Sequence, residues 1–191
     1  MIFVDKKEFW KIIEQAAENS DGDMEVQYDI MVENLSSRSD EDILTFNNIF
    51  DIYYNELHKH KLWAASYLIN GDESEDVFDA FKGFIIVNGK DMVLGAMLEP
   101  DSLSEKLEEG LAEFEDVLYL AGDAYLTKHG GEEDEFNIFY DKTLKHKLSD
   151  DEVVDILAEI EFAEDIDKIW EEGDLEKYLP KLFKKYISEK I

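Results

Sequence analysis

The sequence predicts an all-α protein, a single-domain multi-helix bundle over residues 1–191 arranged around a central buried helical pair. Three observations predict it. Apolar residues recur at helical period along most of the chain. Helix-start signals precede several of those stretches. Residues 62–89, LWAASYLINGDESEDVFDAFKGFIIVNG, hold two densely apolar segments joined by an acidic turn. Eight of the eleven residues from 77 to 87 are apolar, so that segment has no face to keep fully in water and belongs inside. Val77, Phe81, Phe84 and Ile85 are its expected core side chains.

Taken in order, Asp5 and Glu8 stand at capping-box spacing before Phe9, Ile12, Ile13 and Ala16, giving a first amphipathic helix. A second spans about 23–35, with Tyr28, Met31, Val32 and Leu35 on one stripe. Ser39 caps a third, in which Ile43, Phe46, Phe50, Tyr54 and Leu57 keep the period. In the central pair, Ser74 stands at the start of the second member and Asn88-Gly89 ends it in a left-handed cap. Residues 90–99 form a short helix stopped by Pro100. A longer helical stretch then carries Leu107, Leu111, Phe114, Leu118, Ala121 and Tyr125 up to Gly130-Gly131, with a break possible at Gly110. Residues 132–165 read as an acidic insertion, its first part up to 148 an irregular excursion over the surface. Within it, Ser149 and Glu152 form another capping box. A last helix covers about 175–187, with Pro180 near its start or at a kink. Residues 2–4 and 137–140 are the only strand-like stretches, and the count is eight or nine helices.

Composition narrows the function classes. Net charge is −29, from 48 acidic and 19 basic residues, and Arg38 is the single arginine. The excess is spread along the chain, with 21 acids to 8 bases in residues 1–100 and 27 to 11 in 101–191. Such a surface repels nucleic acid and anionic lipid and suits a basic protein partner. Crowding of so many carboxylates is expected to raise many of their pKa values. Cysteine is absent, which removes disulfides and thiolate metal sites and fits a reducing compartment. The N-terminal MIFVDKKEFW is not a signal peptide, and the apolar runs are too short for a membrane span, so a cytoplasmic protein is expected.

Chemistry has few footholds. Walker, GxGxxG, GxSxG and HExxH motifs are all missing, and no catalytic residue, metal site or cofactor is assigned. His58 and His60 are two apart, on different faces of a helix. A calcium loop fails because Val77 stands where glycine is needed and Gly83 where the bidentate glutamate belongs. The candidate binding residues cluster in the central stretch. Asp76 and Asp79 share a helix face with Lys82 one turn on, and Asp72 precedes them. They form either a carboxylate set for acid–base or hard-cation chemistry, or an acidic helix start with a local Asp79–Lys82 pair. Trp63, Tyr67 and Asn70 lie on one stripe, either an aromatic ledge for a ligand or a part of the core.

The same central stretch, LWAASYLINGDESEDVFDAFKGFIIVNGK, resembles the core of an uncharacterised bacterial family, the domain of unknown function numbered 4240, which reads roughly LWxAAYLINGG and then FDYFRGWLIxQG. Phe9-Trp10 with Ile12-Ile13, the EPDSL around Pro100, EDVLYLAGDAY ending at Tyr125, and Leu179-Pro180-Lys181-Leu182-Phe183 are similar to further family motifs in the same order. Lys82 stands where the family tends to have arginine, Phe84 where it has tryptophan, and Asp72 where it has the second glycine. Lysine in place of arginine loses bidentate carboxylate pairing. The resemblance implies a fold and a bacterial origin, and it brings no reaction or ligand.

Three functional readings follow. The first is a non-enzymatic acidic module that binds a basic protein, as an immunity protein or nucleic-acid mimic would. The second is a metal-dependent hydrolase or other enzyme using Asp72, Asp76 and Asp79 beside Trp63. The third is a scaffold that works as a homo-oligomer. Convergence of the three carboxylates would favour the second, and their separation in water the first.

Overall fold

The computed structural model describes residues 3–107, 111–131 and 133–188. It is all-α, with twelve α-helices, three short 3-10 turns and no strand among the described residues. In chain order the helices are α1 (Lys6–Asn19), α2 (Met24–Ser36), α3 (Asp40–Glu56), α4 (His60–Asn70), α5 (Glu75–Val87) and α6 (Lys90–Leu98). They continue with α7 (Leu103–Lys106), α8 (Leu120–His129), α9 (Glu133–Thr143), α10 (Asp150–Leu157), α11 (Leu175–Tyr178) and α12 (Pro180–Tyr186). The chain divides into two compact units, Met1–Tyr53 with Asp116–Ala158, and Tyr54–Glu115 with Glu159–Ile191. No helix of the described residues is long and apolar enough to cross a membrane.

In the first unit, α1 packs on α2, α2 on α8 and α8 on α9. The starts of α1, α2, α3 and α10 are fixed by a short polar side chain that accepts the free N–H groups of the first turn. Asp5 accepts from the Glu8 N–H at 2.8 Å, and Asp23 accepts from Glu25 and Val26. Ser149 and Glu152 close a full capping box on α10. Ser39 and Asp42 do the same on α3, and the buried Asp42 also accepts the Val4 N–H at 2.9 Å. The Glu8 side chain does not reach back to its cap. It turns to Arg38 Nη2 at 2.8 Å and to Lys11. Phe9, Trp10, Phe46 and Tyr53 form an aromatic core, tied by a hydrogen bond from Trp10 Nε1 to the Tyr53 hydroxyl at 3.1 Å.

In the second unit, α4 packs on α5 and on α12, and α5 packs on α6. The apolar pair read from the sequence is thus the centre of this unit. Phe81 and Ile85 are buried as expected, but Val77 and Phe84 are half-exposed, and Phe78 and Ile86 take the inner positions. Gly71, at φ +77°, ends α4 in the left-handed conformation that side chains resist. After α5, Gly89 also has a positive φ, +94°, but with ψ 173°, so the left-handed cap expected at Asn88-Gly89 is not formed there. Buried Asp101 accepts the backbone N–H groups of Lys181 and Leu182 at 2.9–3.1 Å, so it caps α12 from far away in sequence. Pro180 sits at the first position of that helix, where its missing N–H costs nothing.

Several elements differ from the sequence reading. Residues 103–125 are not one helix, because the backbone from 111 to 115 takes outside partners: Ala112 N–H goes to Asn70 Oδ1 and Phe114 N–H to the Ala80 carbonyl. Gly110, the expected break, lies outside the described residues. The 175–187 helix is two short helices divided at Leu179. The surface excursion contains α9, because Phe139 packs into a buried cluster with Ile43, Leu44, Ala121 and Tyr125. The strand reading of 137–140 falls inside that helix, and Phe3 and Val4 are irregular while Ile2 lies outside the described residues.

Candidate functional site: the acidic turn and its aromatic wall

The loop between α4 and α5 is short because Gly71 stops the first helix and Ser74 begins the second. Ser74 stands at the N-cap without a side-chain cap bond; its own N–H goes instead to Asp72 Oδ1 at 2.7 Å. Hydrogen bonding from the Ser74 backbone, and then from its side chain, holds the exposed Asp72 carboxyl below the usual aspartate range. Asp76, in the first turn of α5, is exposed. Asp79 pairs with Lys82 Nζ at 2.8 Å. The three carboxylates therefore have separate environments. Among the described residues no group of three or more His, Asp or Glu is placed to hold a metal ion.

Lys82 is the unexpected member. Its side chain is 3% exposed, with the ammonium 3.9 Å from the centre of the Tyr54 ring and 5.1 Å from that of Phe78. It also lies 3.2 Å from His58 Nδ1. A desolvated cation needs partners on most sides, and here an aromatic face, a carboxylate and an imidazole supply them. Desolvation, and then the positive charge of Lys82, hold the His58 pKa below its ordinary value, so the ring is neutral at neutral pH. His58 lies in the link before α4, and its ring meets Trp63 edge-on and Phe78 at a tilt. The sequence treated His58 only as half of a failed zinc pair; its packing on Trp63 has no short-range sequence signal.

The Trp63, Tyr67 and Asn70 stripe is the half-buried face of α4, and each member is engaged. Trp63 stacks on Phe78 at 4.9 Å and donates its indole N–H to the Glu73 carbonyl at 3.0 Å, closing the acidic turn over its own ring. Tyr67 stacks on Trp170 at 5.5 Å and donates to Glu172. Asn70 both donates to and accepts from the backbone of Ala112, so it acts as a clamp on residues 111–113. The structure brings Trp63, Asp79 and Lys82 into one neighbourhood through Phe78. Tyr67 and Asn70 serve other segments of the chain. What the cluster can do chemically is hold a positive charge, and Lys82 already occupies that place.

The first unit carries polar features that the sequence reading did not single out. A cavity of about 500 Å³ is lined by Glu8, Asn34, Ser37, Arg38, Ser39 and Asp42, with Lys128. The lone arginine is oriented there by Asn34 Oδ1 and Glu8. Its isolation in the composition was the available signal.

No curated protein and no solved structure matches the chain. The family described as "Protein of unknown function (DUF4240)" matches residues 4–127, more than half of the chain, from α1 into α8. The likeness noted at residues 179–183 lies beyond the matched span. On that match, the chain belongs to the DUF4240 family.

Proposed function

We propose that this chain is a non-enzymatic module whose acidic surface binds a basic protein, in the manner of an immunity protein or nucleic-acid mimic. The observation that carries this reading is the separation of Asp72, Asp76 and Asp79. The residues on which acid–base or metal chemistry would rest are an Asx turn, an exposed helix-start carboxylate and a lysine partner. What remains is a net charge of −29 with a single arginine. A surface of that kind speeds encounter with a cation-rich partner and repels anionic ones.

The test is affinity capture from the native host at low salt, then reconstitution with the purified captured protein. A basic partner should associate fast, with an on-rate that drops steeply with salt, because screening shortens the field to about 10 Å at 0.1 M. Charge reversal of exposed acids should slow association more than it speeds dissociation. Absence of any basic partner, together with divalent-ion binding that Asp76→Ala abolishes, would sink the reading and favour an enzyme.

A further inference from the structure

The first unit has an aromatic groove that its own core leaves open. Phe139 of α9 turns inward to Tyr125, while Tyr119, Phe136 and Tyr140 stay 51%, 44% and 58% exposed. These three rings, with Gly122 and Asp51, line a cavity of about 230 Å³. Gly122 adds no side chain to the floor, where a Cβ would lie in ordinary contact with the Phe136 and Phe139 rings at 3.5 and 3.6 Å. Aromatic rings of this size are costly to leave in water and are enriched where partners dock.

Asp51 decides what kind of partner fits. Its side chain accepts from Asn47 Nδ2 at 2.9 Å. The residue is exposed, yet it is crowded enough that desolvation pushes its pKa up; the Asn47 bond and the charge of Lys147 pull the other way and do not win. A carboxylate in that position gains from an arriving cation, and the faces of Tyr119, Phe136 and Tyr140 attract cations too. A second copy of the chain, at −29, would meet strong like-charge repulsion.

We infer that the groove between α8 and α9 is a docking site for an amphipathic segment of a basic protein, with an apolar anchor seated on Phe136 and Tyr140 and a lysine or arginine beside Asp51. This rests on the basic-partner reading above and names where that partner's anchor sits. One wall, with Asp51, Tyr119 and Gly122, lies inside the family match, and the other, on α9, lies beyond it. The site thus straddles the end of the family match.

The experiment uses the full chain and three labelled synthetic helical peptides read by fluorescence anisotropy: one of leucine and lysine, one with serine for leucine, and one with glutamate for lysine. The leucine–lysine peptide should bind, losing about tenfold in affinity with Tyr140→Ser and with Asp51→Asn. Both positions are exposed, and circular dichroism checks that the variants fold. The serine–lysine peptide should bind more weakly and be indifferent to Tyr140→Ser. Unchanged binding in both variants, with loss on charge reversal of Glu73, Glu75 and Asp76, overturns the groove and leaves the basic-partner reading standing. Equal, salt-insensitive binding of the leucine–glutamate peptide overturns the charge selectivity. A dimer seen by sedimentation and abolished by Tyr140→Ser would make a second copy the occupant and overturn the proposal.

Discussion

Lys82 shows how far one residue's role depends on its surroundings. Its four neighbours are Asp79, His58 and the rings of Tyr54 and Phe78; Asp79 and Phe78 stand three and four residues before it on α5, where the pattern read as a local ion pair, while His58 and Tyr54 arrive from outside that helix. Lys82→Ala leaves a void between rings and removes a cation–π contact, for an expected cost of about 2–4 kcal/mol in urea unfolding. It should also move the His58 pKa part of the way back toward 6.5, since the charge is removed but the burial stays. An NMR titration of His58 that does not shift would mean that Lys82 does not act on the imidazole. Phe81→Ala, at a side chain 1% exposed, should cost about 3–5 kcal/mol, and a cost under about 1 kcal/mol would deny α5 its central place.

Helix starts set the scale of the elements. Four of them are written locally, at Asp5, Asp23, Ser39 and Ser149, where the capping side chain is within three residues of its N–H group. Helix α12 differs, because its cap is Asp101, some eighty residues earlier. Asp101→Ala strips the acceptor from two N–H groups, one of them buried, and should cost about 2 kcal/mol or more. Asp101→Asn keeps an acceptor oxygen and should cost less. Equal losses for the two, measured by denaturant midpoint, would mean that packing rather than hydrogen bonding matters there. At α9, Phe136, Phe139 and Tyr140 did carry helical spacing. Dense acids ahead of FNIFY, an aromatic and β-branched run, made the stretch read as an irregular excursion with a strand-like core.

For the whole molecule, pH and salt are the informative variables. The expected general rise of carboxylate pKa values does not hold at several positions. At Glu8, Asp40 and Asp42, burial raises the pKa, but hydrogen bonds to Arg38, Lys142, His129, Ser39 and backbone N–H groups outweigh it and hold these groups low. A carboxylate lowered in the folded state stabilises it fully above the unfolded values, here 4.5 and 3.8, and that contribution fades as pH falls through the folded ones. His58 acts in the same direction, since the unfolded chain takes its proton first once pH drops below 6.5. Opposing both is the self-repulsion of −29, which eases as carboxylates protonate. Stability should therefore peak near about pH 5, fall steeply below about pH 4, and rise with sodium chloride at pH 7. A urea midpoint that still climbs below pH 4, or a Tm that falls with salt, would contradict this balance.

The sequence by itself determined the helical class, the family, the starts of α1, α2, α3 and α10, and the buried run in α5. Those features depend on residues three or four apart, and apolar periodicity and capping act over that range. Tertiary structure decided the rest. It buried Lys82 under two rings, gave Trp63 to Phe78 and Tyr67 to Trp170, and turned Asn70 into a backbone clamp. It also kept residues 111–115 out of a helix and left Tyr119, Phe136 and Tyr140 open. Each of those outcomes is set by which distant side chain or backbone group arrives as a partner, and that information is spread across the chain rather than written beside the residue it governs.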